Sequence, residues 1–389
     1  MDKLGGNPSK STNKGHNLMD KITRKTAFGQ WFFPINLHFF EEQVKAMNLD
    51  YYMKKLTAES FLKLLLFAQL EEIESLHALG DCLFDDQLQK GSGLDSISIS
   101  QLSRRLNSLN PDLFQRLFLD LVGQIHAKTH YPKLAMPLKI IDSSTLPLNL
   151  TNHRWAKFRK TKAGVKLHLR LVFMEKGTSY PEKAIMTTAN EHDRGQLEVM
   201  VDDKECMYVF DRGYLDYERF DRMTDDGYFF LSRLRKNAVI RKIYDFKLPD
   251  GSSVLSDQMV LIGTTQNRAE NYFRLLKVID SKGNELHLIT NRFDLSADEI
   301  SEMYKARWAI ELFFKWIKQH LNIKKFYGQS EWAIQNQVFI ALIVYCLHVL
   351  AQLETESKRK TLQISRYLRA ALWKPAHIWI RKIQGKAVP

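Results

Sequence analysis

The chain has little of what marks a secreted or membrane protein. Its 389 residues include three cysteines, at positions 82, 206 and 346, whose separation gives no CxxC pair and indicates no disulfide framework. The longest apolar run, Val338 to Leu353, has sixteen residues, whereas a membrane span needs about 20. The first thirty residues are polar and basic and lack the pattern of a signal peptide. We therefore expect a cytoplasmic protein with a buried apolar helix and no membrane partner.

Positive charge is abundant but unevenly distributed. The net charge is +13, yet residues 1–30, 151–176, 231–247 and 355–389 carry +4, +7, +5 and +8, so the remainder carries −11. Such patches are what phosphate neutralisation on nucleic acid requires. A two-carboxylate glycosidase is a weaker alternative, because a neutral sugar gains nothing from these charges.

The segment from Ser296 to Leu321 is predicted to form one helix, because it contains no proline or glycine and opens with a capping box, Ser296 with Glu299. At about 100° per residue, five apolar residues share a sector of about 60°. They are Met303, Ile310, Phe314, Ile317 and Leu321. A neighbouring sector holds Tyr304, Arg307, Glu311 and Lys318. This polar row borders the core, where a cleft could lie; the alternative is an ordinary i,i+4 salt bridge, Arg307 to Glu311.

Two aspartates stand at strand ends upstream. The apolar run from Pro137 ends at Asp142, and the run Met207 to Phe210 is followed by Asp211. Either one alone would be read as a turn or helix-capping residue. Together with Glu311 they suggest a cluster of three carboxylates, which repel one another and need cations between them. Two Mg²⁺ or Mn²⁺ ions suit such oxygen ligands.

The order of elements around these acids predicts an α/β (α+β) fold. The pattern β-β-β-α-β-α-β followed by a helix is that of a ribonuclease-H-like domain, in which the first and fourth strands are neighbours. The second strand of this pattern, Val165 to Phe173, alternates strictly between apolar and polar residues. We therefore expect it to be half-buried, with Lys166 and His168 on its polar face. A β-rich insertion at about 235–292 precedes the predicted helix of Glu311.

The chain before this domain is predicted to be helical. Residues 1–25 read as a flexible basic arm, 26–132 as a helical DNA-binding domain, 133–330 as the catalytic domain, and 331–389 as a helical, basic C-terminal region. Two consecutive helices, Ile99–Leu106 and Pro111–Val122, could be a helix-turn-helix. The residues it would offer to DNA are Gln101, Arg104 and Arg105. Any small helical bundle contains such pairs, so that alternative stays open.

Several motifs together resemble the DDE transposases of insertion sequences in insertion-sequence family four. The helix carries the spacing Y-x2-R-x3-E-x6-K, from Tyr304 to Lys318, and Asp211 opens the motif D-R-G-Y. Gly164-x-Lys166-x-His168 and the pair His192-Asp193 match as well. The resemblance covers Asp142 to Lys318 and, more loosely, the helical domain before it.

The resemblance implies a role for each matched residue. Asp142, Asp211 and Glu311 would be the catalytic acids and the ligands of two Mg²⁺ or Mn²⁺ ions. Tyr304, Arg307 and Lys318 would hold phosphates and displaced nucleotides next to the cleavage site. Lys166 and His168 would face the DNA, and Arg212 would contact it. Trp308 would stack on an unpaired base or else pack against the insertion. The alternative for His168 is a partner that merely orients Asp142.

The sequence therefore predicts a bacterial cut-and-paste transposase, associated with the nucleoid when bound to DNA. Its partners would be the terminal inverted repeats and target DNA, and a homodimer would join the two ends. A hairpin intermediate is what the resemblance implies. The alternatives are a metal-dependent nuclease of the same fold without strand transfer, and a non-catalytic DNA-binding protein whose acids are structural.

Overall fold

The computed structural model describes residues 26–129, 136–175, 178–191, 193–320 and 326–386. The predicted basic arm, His192 and Leu321 lie outside the described residues. The chain divides into two compact units, one of residues 1–128 with 325–389 and the other of residues 129–324. The segment predicted as a separate C-terminal region therefore belongs to the same unit as the N-terminal helices.

The first unit is helical. Its helices, numbered in chain order over the whole described chain, are α1 Ala27–Phe32, α2 Leu37–Ala46, α3 Ala58–Leu70, α4 Leu76–Asp81, α5 Asp86–Ser92, α6 Ile99–Ser108 and α7 Asp112–Lys128. The helices of the second unit are α8 Asp193–Met200, α9 Tyr217–Asp225, α10 Ala297–Ala306 and α11 Trp308–His320. The first unit is completed by α12 Glu331–Glu354, α13 Thr361–Ala370 and α14 Ala376–Gln384.

Helix α12 is the centre of the first unit. It is the one described helix long and apolar enough to cross a membrane, but 94% of its apolar window is buried inside the protein. It packs against α3, α6 and α7, and the Asn336 side chain donates to the carbonyls of Leu106 and Leu109 at 3.3 and 2.8 Å. The prediction of a buried helix is confirmed, because the apolar side chains face protein on every side.

The second unit is built on one mixed sheet. Its strands are β1 Leu138–Leu148, β2 Lys157–Arg159, β3 Lys162–Glu175, β4 Thr178–Thr188, β5 Met207–Phe210, β6 Phe229–Arg233, β7 Ile240–Asp245, β8 Val254–Thr264, β9 Asn267–Arg268, β10 Phe273–Ile279 and β11 Glu285–Thr290. The main path of the sheet is β2-β3-β1-β5-β6-β11-β10-β8-β7, with β4 also paired to β3. Strands β1, β5 and β6 are parallel, whereas β3 and β4 are antiparallel to their neighbours.

The predicted order of three antiparallel strands, helix, strand, helix and strand is confirmed, with the short β2 as an addition. The predicted insertion is β-rich, but its strands do not stand apart from the sheet. Strand β11 pairs with β6, and β10, β8 and β7 follow in order. Pattern reading could identify these strands but not their partners, because pairing depends on contacts far apart in sequence.

The prediction of a half-buried β3 is wrong. Its apolar face is buried, and so are His168 and Arg170 on the other face. Helix α8 packs over β1 and β3, and the Arg170 guanidinium donates to the carbonyl of Met200 at 2.6 Å and to Glu182 at 2.6 Å. Arg170 also pairs with Asp202. The polar face of this strand is therefore a buried ionic network and not a surface.

The predicted single helix is two helices, α10 and α11, separated at Arg307. At the break the amide of Arg307 donates to the carbonyl of Tyr304 at 3.1 Å, and that of Ile310 donates to Arg307 at 3.2 Å. These i+3 bonds tighten one turn without reversing the chain. The capping box at Ser296 is confirmed, and the four described residues of the predicted core stripe are buried.

A buried arginine joins the insertion to the start of α10. The Arg274 guanidinium on β10 binds Asp257 on β8 through two bonds of 2.9 and 2.6 Å. It also donates to the carbonyls of Arg292 and Leu295 at 3.3 and 2.5 Å. Because Leu295 directly precedes the Ser296 cap, the insertion helps to fix where the helix begins.

We predict that Arg274→Ala lowers the free energy of unfolding of this unit by about 3–5 kcal/mol, because it leaves the buried carboxylate of Asp257 without its partner. The matched control is Arg222→Ala, whose side chain is 52% exposed and pairs with the exposed Glu198, and which should cost about 0–1 kcal/mol. Urea unfolding of the two variants measures both changes. Equal losses would show that the buried pair is not the stabilising contact.

Candidate active site

Asp142 and Asp211 lie side by side in the middle of the sheet, where the parallel pairing of β1 with β5 ends. Strands β1 and β5 are paired in register from Leu138 with Met207 to Ile141 with Phe210. Asp211 directly follows the end of β5, as predicted. Asp142 is also the next residue after the pairing, but the prediction that it ends its strand is wrong, because β1 continues to Leu148 through its pairing with β3. Since neighbouring parallel strands are about 4.8 Å apart, the two carboxylates lie at the same end of this pairing. The predicted adjacency of these strands is confirmed.

Backbone amides orient one oxygen of each carboxylate. The amide of Ser143 donates to Asp142 Oδ1 at 2.7 Å, and the amide of Gly213 donates to Asp211 Oδ1 at 2.7 Å. A Cβ atom at Gly213 would stand 2.9 Å from Asp211 Oδ1, so a side chain there would push the carboxylate aside. This close approach is why a glycine suits the D-R-G-Y turn.

Asp142 is in a strained electrostatic environment. Burial, together with the negative charges of Asp211 and Glu311, raises its pKa from 3.8 to about 7, against the lowering effects of the Ser143 amide and Arg307. The three acids therefore influence one another even though they belong to two strands and a helix. Near neutral pH such an arrangement favours either a proton or a cation beside Asp142.

Glu311 lies on α11, which packs on β1, the strand that carries Asp142. Its carboxylate accepts a bond of 2.5 Å from the Arg307 guanidinium. That guanidinium also lies over the ring of Tyr304, 5.8 Å from its centroid, and Tyr304 is buried. The i,i+4 salt bridge considered from the sequence is thus present, and it stands beside the two aspartates.

The donor set of this site suits a hard divalent cation. In the described chain, the hydrogen bonds to Asp142 and Asp211 reach one oxygen of each carboxylate. Carboxylate oxygens are the ligands that Mg²⁺ and Mn²⁺ prefer. Over the same residues, however, no three His, Cys, Asp or Glu side chains are close enough to hold one ion. Glu311 is paired with Arg307 through one oxygen, Oε1.

The remaining predicted residues of this unit differ in exposure. Arg212, Trp308 and Lys318 are exposed, and Trp308 retains 55% of its accessible surface. That exposure favours a ring available for stacking over one packed against the insertion. Lys166 and His168 behave differently, because both turn toward Asp193.

His168 does not face solvent, so the prediction that it contacts DNA is wrong. It is fully buried, and burial lowers its pKa to about 4, which leaves the ring neutral at pH 7. Its Nε2 atom is bonded to the Thr187 hydroxyl at 2.9 Å and its Nδ1 atom lies 3.6 Å from Asp193. It does not orient Asp142 directly either. The cause is again helix α8, which covers this face of β3.

Asp193 is the residue that sequence reasoning left without a role. Its Oδ1 atom accepts from the Ser143 hydroxyl at 2.6 Å and lies 3.3 Å from the Lys166 ammonium. Ser143 in turn presents its amide to Asp142. Asp193 therefore supports the backbone that holds the first acid. Its position directly after His192, at the start of a helix, was the available signal.

Arg104 and Arg105 lie in the helical unit. The predicted helix pair is present as α6 and α7, and Arg104 is exposed. Arg105 is 5% exposed. Its guanidinium donates to the carbonyl of Leu49 at 2.7 Å and pairs with Asp50. The prediction that Arg105 touches DNA is therefore corrected: on α6 it faces inward, where a contact with another segment satisfies it.

Comparison with known proteins agrees with this arrangement. Residues 134–347, more than half of the chain, match the family described as the transposase DDE domain. Residues 23–94 match a domain of unknown function. The first match includes both aspartates, Glu311 and the whole β insertion.

Individual relatives carry related names. The chain is 32% identical over 275 residues to a probable transposase for insertion sequence element IS5377 from Geobacillus stearothermophilus, spanning 69% of this chain and 71% of that protein. It is 31% identical over 240 residues to the transposase y4zB of Sinorhizobium fredii, spanning 60% and 66%. The chain is also similar in structure to a chain of a piggyBac transposase synaptic complex with hairpin DNA. The match covers 90% of this chain and 80% of that chain, at 11% sequence identity. Its TM-score of 0.46 is too low to carry an argument about fold.

We predict that Asp142→Asn stabilises the metal-free protein at pH 8. The pKa of Asp142 is raised on folding, so the folded state binds more protons between about pH 4 and 7 and stability falls as pH rises through that window. Asn carries no charge and escapes this loss. The thermal midpoint in EDTA should rise by at least about 2–4 °C at pH 8 and match wild type at pH 4.

The control for this measurement is Asp250→Asn, an exposed aspartate in the turn before β8, which should change the midpoint little at either pH. A variant of Asp142 that is no more stable than wild type at pH 8 would contradict the environment described for this carboxylate.

Proposed function

The chain belongs to the transposase DDE domain family, whose members cleave and join DNA, and on that basis we propose that it moves an insertion sequence by cut-and-paste transposition. The observation that carries the proposal is the parallel pairing of β1 with β5. It brings Asp142 and Asp211 next to each other in the sheet. The helix that carries Glu311 packs on β1. We assign the domain to the ribonuclease-H-like class on its strand order, and the chain to the Y-R-E-K group on its helix spacing.

Asp142, Asp211 and Glu311 would hold two Mg²⁺ or Mn²⁺ ions. When bound, such ions activate a water or a 3′-hydroxyl and stabilise the leaving oxygen of a phosphodiester. The protein contributes by holding the carboxylates in place through the amides of Ser143 and Gly213. Their mutual repulsion in the absence of a cation makes cation binding favourable.

In this mechanism the Arg307 guanidinium can bind either the Glu311 carboxylate or a DNA phosphate. In the structure it neutralises Glu311 at 2.5 Å. A DNA phosphate can take over its guanidinium through two parallel bonds, which would release Glu311 toward the aspartates. Arg307 therefore couples the arrival of substrate to the completion of the acidic site, and Tyr304 beneath it limits where the guanidinium can move.

Other residues extend the contact to DNA. Lys318 and Arg212 are exposed cations able to meet phosphates, and Trp308 offers an exposed ring for a base displaced at a hairpinned end. The substrates are the terminal inverted repeats and the target. Joining two ends requires two active sites, so we propose a homodimer in the synaptic complex.

The decisive experiment incubates the full chain with duplex DNA carrying the inverted repeat that flanks its gene, with Mg²⁺ or Mn²⁺. Wild type should cut at the repeat, give hairpinned ends and join a pre-cut 3′-hydroxyl end to plasmid DNA. Asp142→Asn should do none of these, because one ligand carboxylate is lost. Arg307→Ala should slow cleavage by about 10²–10³-fold, the loss expected for one clamp on a reacting phosphate.

The matched control is Asp250→Asn, which changes the same charge far from the acids in sequence and should cleave as wild type does. Cleavage without joining of a 3′-hydroxyl end would identify a nuclease of the same fold. If Glu311→Gln leaves cleavage unchanged, or if wild type never cleaves, the acids are structural and the proposal fails.

A further inference from the structure

The loop between α2 and α3 exposes side chains that the mechanism does not use. Tyr51 and Tyr52 are 73% and 85% exposed, and their rings meet edge to face at 4.5 Å. Met53 is 44% exposed, and Lys54 and Lys55 are exposed as well. Large side chains exposed together on one loop are typical of a surface that meets a partner.

The loop is firmly attached at its base. Both oxygens of the Asp50 carboxylate accept from the amide of Ala58, at 3.0 Å each, at the start of α3. The same carboxylate pairs with the buried guanidinium of Arg105 on α6, which also binds the carbonyl of Leu49. Arg105 thus fastens the loop to α6, so that the loop and the exposed side of this helix face each other.

Between them lies a groove of about 800 Å³. It is lined by Tyr52, Met53, Lys54, Lys55, Leu56, Gln101, Arg104, Arg105, Asn107 and Ser108. We call this the loop–α6 groove. Three of its cations, Lys54, Lys55 and Arg104, are exposed, and within the described residues no aspartate or glutamate lines it. The nearby Asp50 is engaged by Arg105 and Ala58.

We propose that the loop–α6 groove binds the phosphate backbone of duplex DNA at the transposon end. The inference rests on the proposed function, in which the polyanion is DNA. It adds which surface of the helical unit binds that DNA. Lys and Arg side chains neutralise phosphates, and tyrosine hydroxyls donate to them. A groove with three exposed cations and no lining carboxylate is complementary to that backbone in charge.

The composition of the groove divides the work between two kinds of contact. Lys54, Lys55 and Arg104 provide the salt-dependent part of the affinity, because each neutralised phosphate releases counterions. Tyr52, which lines the groove, and Tyr51, whose ring contacts that of Tyr52, provide a part that depends little on salt, through ring contacts and hydroxyl donors. Measuring the affinity over a range of salt concentrations separates the two parts, because only loss of the cations changes the salt dependence.

The test measures binding of the full chain to a fluorescent duplex carrying the terminal repeat, by anisotropy in EDTA over a range of salt. The variant Lys54→Ala/Lys55→Ala/Arg104→Ala should bind about 100-fold more weakly at 0.15 M salt, and its salt slope should be smaller by about 2–3, since each phosphate contact contributes about 0.9. Tyr51→Ala/Tyr52→Ala should bind about 10-fold more weakly with the slope unchanged.

The charge-matched control is Lys45→Ala/Lys90→Ala/Arg366→Ala, three exposed cations of the same unit that do not line the groove. This control should keep most of the wild-type affinity for the duplex and most of the salt dependence of that affinity. Every replaced side chain is exposed, so thermal midpoints equal to that of wild type should accompany each measurement. Wild-type binding by the groove variant, or an equal loss in the control, overturns the proposal.

Failure of the groove can be told from failure of the proposed function. If wild type cleaves and joins the repeat while the groove variants bind it normally, only the groove assignment is lost. If wild type neither binds nor cleaves the repeat, both are lost. Asp250→Asn connects the two assays, because this exposed aspartate lies outside the acids and the groove, so the variant should bind and cleave the repeat as wild type does.

Discussion

The structure of the catalytic unit depends on one constraint: three carboxylates must be held close enough to act together although they repel. The parallel pairing of β1 and β5 brings Asp142, within β1, beside Asp211, which directly follows β5. Backbone amides from Ser143 and Gly213 hold one oxygen of each. What remains is a half-buried acid whose pKa is raised to about 7, and in the proposed function this site gains free energy by binding cations.

Much of the surrounding architecture serves the third acid. The insertion continues the sheet beyond β6, and Arg274 ties its strands to the carbonyls just before the cap of α10. The break at Arg307 then brings that guanidinium onto Glu311. The pair is the salt bridge of an ordinary helix, and in the proposed mechanism it is also a closed form of the site, because an arginine and a metal ion would compete for the same carboxylate.

Buried ionic residues recur where sequence reasoning expected surface contacts. His168 and Arg170 are covered by α8, and Arg105 holds a loop. In each case the side chain looked available because its own element was amphipathic, and His168 is buried as a neutral ring. Whether another element covers that face is decided by packing, and a buried charge persists only because a carboxylate or carbonyl meets it. The exposed cations of the loop–α6 groove have no such cover.

The sequence by itself determined the order of strands and helices, the capping box at Ser296, the buried helix α12 and the adjacency of Asp142 and Asp211. These follow from periodicity and from residue types along one segment. Only the tertiary structure decided that β3 is covered on both faces, that the insertion joins the main sheet, that the helix breaks at Arg307 and that the terminal segments share one unit. Those features depend on which distant segments pack together, and local patterns do not encode that choice.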